Sequence, residues 1–380
     1  MPSIRFYGFD NDWEQRKLGE LVDVCSGRDY KHLSEGTIPV YGTGGYMLSV
    51  NDALSYDRDA IGIGRKGTID RPYILKAPFW TVDTLFYAIP REKVDLNYAF
   101  DIFQNIDWKK KDESTGVPSL SKTAINDIDV LAPKHDEQQI IGQFFAAIDN
   151  LITLHQRKFE KLTNVKKSML EKMFPQNGSC YPAVRFKGFT DPWEQRKAID
   201  IADYSKGNGY SKGDLTDAGT PIILYGRLYT KYQFAISEVD TFAVPRNGAV
   251  YSQGNEVIVP ASGETAEDIA RASAVEKSGV LLGGDLNILR PFDFINPLFL
   301  ALAISNGEPQ KELAKKAQGK SVVHIHNTDI QEVTIAYPSR TEQDRIVSVF
   351  CQLDHLITLH QRELEKLQST KKALLEKMFV

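Results

Sequence analysis

Two glycine-containing strings of this chain hold residues that could contact a phosphate. The first, GIGRKG, runs from Gly62 to Gly67 and places Arg65 and Lys66 beside a tight turn. Backbone N–H groups in such a turn, together with two cationic side chains, can bind a phosphate. The string also fits the GxGxxG pattern of dinucleotide-binding folds, but no helix begins before Pro72 and that pattern requires one. We therefore predict a phosphate contact rather than a dinucleotide site.

The second string, AKKAQGKS, ends like a nucleotide-binding loop without meeting its requirements. Ala314 stands where the first glycine is needed, and a predicted helix rather than a strand precedes the string. An ATPase is therefore not predicted. Just beyond it, VVHIHN places His324 and His326 on one face of a predicted strand. A polar strand face and contact with nucleic-acid base edges explain this histidine pair equally well.

No catalytic set of residues is recognisable elsewhere in the sequence. There is no GxSxG, HExxH or EF-hand string, and no (D/N)PP(Y/F) string of the kind that methyltransferases carry. Cys25, Cys180 and Cys351 lie far apart and predict neither a zinc site nor a disulfide framework. We expect no catalytic residues, no metal site and no cofactor in this chain.

The elements that must position these residues are duplicated. The string LITLHQR occurs twice, inside longer matches that are offset by 205 residues, and a shorter match ending in WEQRK recurs at an offset of 180. A period this long indicates a domain duplication rather than a solenoid. The segments between the matches differ, so we predict two different readers on one repeated frame. The matched pairs are Glu137–Phe174 with Glu342–Phe379, and Ile4–Lys17 with Val184–Lys197.

Apolar residues in both long matches recur in the 4-3 spacing of a heptad stripe, which predicts coiled-coil helices. Each helix would be about 57 Å long at 1.5 Å per residue. His155 and His360 interrupt the stripe, as do Lys166 and Lys371. Polar seam residues commonly fix register and pairing; a metal or proton-relay role for the histidines is the alternative. The predicted seam comprises Ile141, Phe145, Ile148, Ile152, His155, Phe159 and Leu162 in one helix and Ile346, Phe350, Leu353, Ile357, His360, Leu364 and Leu367 in the other.

The second helix can pair with the first only if the chain turns back, so the two helices should be antiparallel and related by a pseudo-two-fold axis. Phe379 would then lie beside the N-terminal segment. The segments between the matches read as short strands, helices and Gly/Pro turns. We therefore predict a mixed α/β (α+β) protein in which two globular domains are joined by two long antiparallel helices.

Composition indicates a soluble globular protein of at least two domains, since the chain has 380 residues, of which 42% are hydrophobic and 25% charged. No apolar run approaches 18 residues and no signal peptide is visible, so we expect a cytoplasmic protein with no membrane contact. The net charge is −4, and residues 18–136 and 198–341 carry 14 and 13 Lys/Arg against 18 and 17 Asp/Glu. Attraction to phosphate must therefore be local or come from a partner.

Several strings together carry a family resemblance: the duplicated helices with their KMF ends, the two WEQRK strings, and YGTGG, GRKGTI, WTVDT, SGETAEDIA and GGDLNILRP. With them, the sequence resembles the specificity subunit of type I restriction-modification systems over nearly the whole chain. The resemblance implies two target recognition domains and two conserved spacer helices. The expected boundaries are 1–136 for the first target recognition domain, 137–174 for the first helix, 175–183 for a linker, 184–341 for the second target recognition domain and 342–380 for the second helix.

The resemblance further implies a non-catalytic subunit that reads a bipartite target in double-stranded DNA, with one half-site for each domain and a gap set by the helices. Two modification (methyltransferase) subunits would pack on the helices and hold S-adenosylmethionine, and restriction subunits would complete the full complex. A coiled-coil scaffold with two structural or peptide-binding domains is the alternative. It does not explain why a closely repeated frame carries two different domains.

Direct readout in such a subunit requires side chains that reach groove edges, with arginine to guanine and asparagine or glutamine to adenine the commonest pairs. For the first domain the predicted DNA-binding residues are Tyr41, Thr43, Arg65, Lys66, Thr81, Ser119, Ser121 and Lys122, with Lys109, Lys110 and Lys111 on phosphates. For the second they are Tyr225, Arg227, Tyr229, Arg246, Asn247, Ser252, Ser262, Lys320, Ser321 and His324.

Overall fold

The structure, a computed structural model, describes residues 2–319 and 322–379. It separates into two compact units: unit 1 is Met1–Arg157 with His360–Val380, and unit 2 is Lys158–Leu359. The mixed α/β class and the two long helices predicted from the sequence are confirmed. Within the described ranges, no helix has the length and apolarity needed to cross a bilayer.

The strands and helices up to the end of the first long helix are β1 (Glu14–Lys17), α1 (Leu18–Leu21), β2 (Val22–Ser26), β3 (Glu35–Gly42), β4 (Gly45–Val50), β5 (Ala60–Gly64), β6 (Tyr73–Leu75), β7 (Trp80–Thr81), β8 (Leu85–Pro90), α2 (Leu96–Asn105), α3 (Lys122–Asn126), β9 (Asp129–Ala132) and α4 (His135–Lys172).

The remaining elements are β10 (Glu194–Lys197), β11 (Ala202–Lys206), β12 (Leu215–Thr216), β13 (Thr220–Ile223), α5 (Arg227–Thr230), β14 (Ala235–Ile236), β15 (Phe242–Ala243), β16 (Tyr251–Gln253), β17 (Glu256–Pro260), β18 (Ser262–Gly263), α6 (Ala266–Ile269), β19 (Ser273–Val275), β20 (Ser278–Leu282), β21 (Leu286–Pro291), α7 (Pro297–Ile304), α8 (Gly307–Lys316), β22 (Val323–His324), α9 (Asn327–Gln331), β23 (Thr334–Tyr337) and α10 (Arg340–Met378).

Unit 1 is built around an antiparallel sheet of order β2-β8-β5-β6 and a smaller sheet of order β4-β3-β7, in which β3 and β7 are parallel. Every residue of β5 is buried, which is why its sequence AIGIG lacks the polar alternation of a half-exposed strand. Helix α2 packs on the core with Tyr98, Ala99, Ile102 and Phe103. Its N-terminus is capped by Asp95, which accepts a hydrogen bond from the Tyr98 backbone N–H at 2.9 Å.

Unit 2 has the same plan with more strands. Its first sheet has the order β11-β21-β17-β19-β14 and its second the order β12-β15-β13-β20-β16, in which β13 and β20 are parallel. Helix α7 occupies the place that α2 has in unit 1, and Asn296 caps it as Asp95 caps α2. The rings of Phe299 on α7, Phe174 and Trp193 pack at the centre of its core.

The WEQRK strings form the edge strands that connect each globular part to its long helix. Strand β1 pairs antiparallel with β9, and β10 pairs antiparallel with β23, so each string lies beside the strand that leads directly into α4 or α10. At the first turn of α4, the Gln138 side chain accepts from the Asp95 N–H at 3.1 Å. Gln343 of α10 accepts from the Asn296 N–H at 2.8 Å. The duplicated sequence therefore builds the same joint twice.

Helix α10 ends in unit 1 and helix α4 ends in unit 2, as the duplication predicts. In unit 1 the Phe379 ring lies 6.1 Å from Trp13 and 5.5 Å from Tyr98, measured between centroids, and Ser3 N–H donates to the Lys377 carbonyl at 2.9 Å. In unit 2 the matching hydrogen bond runs from Val184 N–H to Lys172 O at 2.9 Å. The predicted position of Phe379 beside the N-terminal segment is confirmed.

Helices α4 and α10 pack against each other in antiparallel orientation. In unit 1 the Lys371 ammonium lies 2.5 Å from Asp149 Oδ1, and His155 faces His360 farther along the pair. In unit 2 an ion pair joins Lys166 to Asp354. Each seam lysine is thus matched by a carboxylate on the opposite helix, which specifies register.

All fourteen predicted seam residues are buried or half-buried, but they do not all serve the helix pair. Ile141 and Phe145 of α4 belong to the core of unit 1, and Ile346 and Phe350 of α10 belong to the core of unit 2. The first turns of each long helix are therefore part of a globular core. The predicted seam residues are Ile141, Phe145, Ile148, Ile152, His155, Phe159 and Leu162, and Ile346, Phe350, Leu353, Ile357, His360, Leu364 and Leu367.

Candidate nucleic-acid interface

One short loop of unit 1, which connects β7 to β8, holds the ends of three other strands together. Thr81 at the end of β7 and the loop residues Val82 and Thr84 make backbone hydrogen bonds to residues at or just beyond the ends of β2, β3 and β5. The three bonds run from Arg28 N to Thr81 O (2.8 Å), from Val82 N to Tyr41 O (3.0 Å) and from Arg65 N to Thr84 O (2.8 Å). The side chains that leave these strand ends are consequently held around one edge of the unit, which we call the recognition edge of unit 1.

Five of the predicted residues come together at this edge. Leu120 N–H donates to the Arg65 carbonyl at 2.9 Å, and Lys66 and Ser119 form a backbone bridge, so the two cations lie beside the segment that leads into α3. Ser121 caps α3 by accepting from the Ala124 N–H at 3.0 Å, and Lys122 is its exposed first residue. Arg65 and Lys66 are also exposed. The members are Arg65, Lys66, Ser119, Ser121 and Lys122.

Arg28 is a further exposed cation of the recognition edge, and it was not among the residues predicted from the sequence. Its N–H is bound to the same loop that holds Arg65. Burial raises the pKa of the nearby Cys25 thiol, and the positive charge of Lys122 opposes that rise. Tyr87 pairs with Cys25 across β2 and β8, and burial raises its pKa to about 12 while the charge of Arg28 opposes the rise. The charge of Lys122 therefore acts on Cys25 and that of Arg28 on the adjacent Tyr87, which places both cations at this edge.

The three remaining predicted residues near the loop differ in exposure. Thr43 is half-buried in the turn between β3 and β4, and Tyr41 is half-buried with its ring 6.4 Å from Tyr46 and 6.1 Å from Tyr73. Thr81 is fully buried, and it holds the loop through its backbone rather than presenting a side chain.

Lys109, Lys110 and Lys111 lie in a short 3-10 turn, Trp108–Lys111, that follows α2. Lys109 pairs with Asp70 at 2.9 Å and Lys110 with Asp107 at 3.2 Å. The pairing with Lys109, whose ammonium donates to the carboxylate, lowers the pKa of Asp70. Because these pairs are exposed, they are weak enough to exchange for phosphate oxygens.

Unit 2 repeats the backbone scaffold of the recognition edge with different side chains. The loop between β20 and β21 is bonded to the ends of β11, β13 and β17 in the same pattern. The three bonds run from Asn208 N to Leu282 O (3.1 Å), from Gly283 N to Ile223 O (2.9 Å) and from Ala261 N to Asp285 O (2.8 Å). The β18–β22 pair, which joins Ser262 to His324, corresponds to the Lys66–Ser119 bridge of unit 1. We call this region the recognition edge of unit 2.

Arg246 and Asn247 are exposed beside this edge, next to Tyr210. The guanidinium of Arg246 lies 5.1 Å from the centre of the Tyr210 ring and forms an ion pair with Asp214. Hydrogen bonds from the Ser211 backbone, and then the contact with Arg246, lower the pKa of Asp214. Asn208, which sequence reasoning did not select, donates from its amide to the Gly248 carbonyl at 2.6 Å in the same turn.

Tyr225, Tyr229 and Ser262 line a cavity of about 710 Å³ at the same edge. The Tyr229 hydroxyl donates to the Ser262 carbonyl at 2.5 Å, and burial raises its pKa well above the ordinary range. Ser262 Oγ lies 3.1 Å from His324 Nδ1. The predicted residues Tyr225, Tyr229, Ser262 and His324 are therefore brought together.

Two other predicted residues of unit 2 are engaged internally. Arg227 forms an ion pair with Asp240, which also accepts from Lys231 at 2.5 Å, and these contacts, led by the one with Lys231, hold the pKa of Asp240 far below its usual range. Ser252 is buried and donates to the Lys277 carbonyl at 2.6 Å. Lys320 and Ser321 lie outside the described residues.

The two recognition edges thus offer unlike groups at equivalent backbone positions. The pairs, unit 1 first, are Arg28 and Asn208, Arg65 and Ala261, Lys66 and Ser262, Ser119 and His324, and Lys122 and Asn327. Arginine, lysine, asparagine, serine and histidine can all bond to base edges or phosphates. One scaffold can therefore present two different sets of contacts.

Arg28 and Asn208 were missed although the sequence contains a signal for them. Each follows a glycine, Gly27 or Gly207, that stands at the same distance from WEQRK in both copies. A Cβ on Gly27 would lie 1.9 Å from the Val82 carbonyl oxygen, and one on Gly207 would lie 1.9 Å from the Gly283 oxygen. The loop's close approach requires glycine, so this shared position marks the site.

The fold and the two edges define a class: a duplicated chain in which two related domains with unlike surfaces are joined to a pair of long helices. The model of the type I restriction modification DNA specificity domain family matches residues 10–164 and 190–369. The chain belongs to this family.

Known proteins also resemble this chain in sequence or in fold. The chain is 20% identical over 278 residues to the type I restriction enzyme MjaVIII specificity subunit of Methanocaldococcus jannaschii, a match that covers 70% of this chain and 65% of that relative's length. The crystal structure of the type I restriction-modification system S subunit from M. genitalium superimposes with a TM-score of 0.71 at 14% identity, covering 100% of this chain and 99% of the other. A chain from a structure of type I R-M system assembly and conformational transition gives a TM-score of 0.48 at 14% identity, with 98% of each chain covered.

Proposed function

We propose that this chain is the DNA-recognition subunit of a type I restriction-modification complex, and that each recognition edge reads one half of a bipartite target in double-stranded DNA. One observation carries the proposal: the same backbone hydrogen bonds and bridges place the exposed Arg28, Arg65 and Lys66 in one unit, and the exposed Asn208 with the buried Ala261 and Ser262 in the other. A purely structural duplication gives no reason for these groups to differ where the scaffold is retained.

The long helices separate the two half-sites in this proposal. The 38 residues of α4 correspond to a length of about 57 Å at 1.5 Å per residue. Recognition elements that read successive major grooves are about 34 Å apart. Paired helices of this length are sufficient to space two readers along one duplex.

In this proposal, partner subunits supply the catalytic and cofactor-binding sites. We assign catalysis and S-adenosylmethionine binding to modification subunits, because the sequence shows no nucleophile motif, no methyltransferase string and no paired carboxylates. Restriction subunits would bind to the resulting complex. DNA restriction and modification take place in the cytoplasm, where we place this chain.

The outer faces of the long helices favour docking of two modification subunits. Within the first LITLHQR string Leu151 and Leu154 are each 46% exposed, and within the second Leu356 and Leu359 are 39% and 44% exposed. Both strings thus turn their isoleucine and histidine inward and two leucines outward. A repeated pair of exposed leucines suits a partner that binds each unit in the same way.

Replacing both Leu151 and Leu154 with aspartate is expected to reduce the complex from two modification subunits to one for each specificity chain, because charges would be placed in one apolar contact. Adding the Leu356→Asp and Leu359→Asp changes should remove the second. Light scattering after size-exclusion chromatography measures the ratio. Thr153→Asp, an exposed change in the same string, should leave two subunits bound; an unchanged ratio in the leucine variants would reject this docking surface.

Arg65→Ala is expected to weaken DNA recognition at one half-site only, by about 1–3 kcal/mol if Arg65 reads a base, which is roughly 5- to 150-fold in affinity. Binding of the complex with modification subunits would be measured on duplexes altered in either half-site. Arg246→Ala should affect the opposite half-site, and the exposed Arg16→Ala in β1 should affect neither. Equal weakening on every duplex would make Arg65 a phosphate contact. If the complex protects no pair of separated tracts in the DNA, the scaffold alternative is favoured.

A further inference from the structure

The two histidines of the repeated strings face each other where α4 and α10 pack in unit 1. His155 Nδ1 and His360 Nδ1 are 3.2 Å apart, with ring centroids separated by 5.1 Å and ring planes inclined at 69°. Both side chains are half-buried, so water and small ions can reach them. The sequence placed both histidines in the seam of the helix pair, and the structure shows that the two rings, 205 positions apart, meet directly.

The separation of the two nitrogens fits a shared metal ion. Zinc binds imidazole nitrogen at about 2.0–2.1 Å, so two such nitrogens at tetrahedral angles lie about 3.3 Å apart. The observed 3.2 Å agrees with that spacing. Neutral imidazole is also a good ligand for nickel and copper, and a poor one for magnesium, which prefers oxygen.

Chemical equivalence of the two residues favours an ion over a direct hydrogen bond. His155 and His360 occupy the same position of LITLHQR. A hydrogen bond between them requires one Nδ1 to carry a proton and the other to lack it, so two equivalent residues would have to take different tautomers. With a metal ion both rings keep the proton on Nε2 and direct the Nδ1 lone pair to the ion.

We propose that His155 and His360 form a two-histidine site for a divalent late transition-metal ion, and that the bound ion ties α4 to α10. Among the residues that the structure describes, no group of three or more His, Cys, Asp or Glu side chains can hold a metal. Water molecules therefore complete the coordination. Two protein ligands from different helices make an exchangeable site that stabilises one register of the helix pair.

The test uses the full-length chain without a histidine tag, after treatment with a chelator. Isothermal titration with Ni²⁺ or Zn²⁺ should show one ion bound per chain, and the midpoint of thermal unfolding should rise with ion concentration because only the folded state presents both ligands. Mg²⁺ should leave the midpoint unchanged. Cu²⁺ loaded at one equivalent should show an electron paramagnetic resonance spectrum with two nitrogen ligands.

Each of His155→Ala and His360→Ala should abolish both the binding and the shift, because one imidazole alone does not make the site. His355→Ala, which removes an exposed histidine from α10, the helix of His360, should behave like the unchanged protein. Circular dichroism identifies a variant that fails to fold, and His155→Gln then replaces it as a polar substitute. Absence of binding, unchanged affinity in both single variants, or an equal shift with Mg²⁺ would overturn the proposal, and none of these outcomes bears on DNA recognition.

Discussion

Adding one heptad to both long helices is expected to lengthen the unread gap in the DNA target by about three base pairs while both half-sites stay the same. Seven residues extend a helix by about 10.5 Å, and DNA rises about 3.4 Å for each base pair. Insertion after Leu162 in α4 and after Thr358 in α10 places both new segments between the His155–His360 contact and the Lys166–Asp354 ion pair, where they can pack against each other. A whole heptad keeps the apolar stripe on the face that meets the opposite helix.

The gap is measured by mapping methylated adenines in DNA treated with the variant chain and modification subunits. Insertion into α4 alone is the control: it leaves seven residues without a partner on α10, so loss of methylation is expected instead of a new gap. An unchanged gap in the double insertion would show that the helices do not set the spacing.

The long helices were predictable because their pattern is local. A 4-3 stripe, strong helix formers and the absence of proline after the first turn are all visible in a window of a few heptads. The antiparallel arrangement followed from the duplication, and the Lys371–Asp149 contact agrees with it. What the stripe did not show is where the helix pair ends: Ile141 and Phe145 continue it in sequence but pack into the core of unit 1. A heptad pattern does not distinguish a helical partner from a sheet and helix beneath it.

The recognition edges were only partly predictable because long-range hydrogen bonds build them. Arg65 and Lys66 stood out as cations in a turn, whereas Arg28 reaches the same edge only through a bond to Thr81, far away in sequence. Ion pairs were also invisible, since nothing in the sequence joins Arg246 to Asp214. Charge and residue type identify candidates for contact, but the strand order decides which of them share a surface.

Glu137→Ala is expected to destabilise unit 1 by roughly 1–3 kcal/mol, because it leaves the half-buried Arg5 guanidinium without the carboxylate that accepts its hydrogen bonds. Glu137 is 1% exposed, and its two oxygens accept from Arg5 Nε and Nη2, both at 2.7 Å. It also accepts from Trp13 Nε1 at 3.3 Å. The hydrogen bonds from Arg5 to this carboxylate raise the pKa of the guanidinium. The variant lacks that contact, but arginine keeps its proton in proteins, so Arg5 cannot relieve the loss by becoming neutral.

The duplication provides a second copy of this experiment. Arg185 holds Glu342 through two hydrogen bonds of 2.7 and 2.8 Å, so Glu342→Ala should destabilise unit 2 by a similar amount. Urea unfolding followed by hydrogen exchange measures the stability of each unit separately. The exposed Glu14→Ala is the control and should change stability by less than about 0.5 kcal/mol.

Replacing both partners, as Arg5→Met with Glu137→Leu, removes the unpaired charge and should cost much less than Glu137→Ala alone. A double variant as unstable as the single one would mean that Glu137 acts mainly through Trp13 and the packing around the joint, and not through the ion pair.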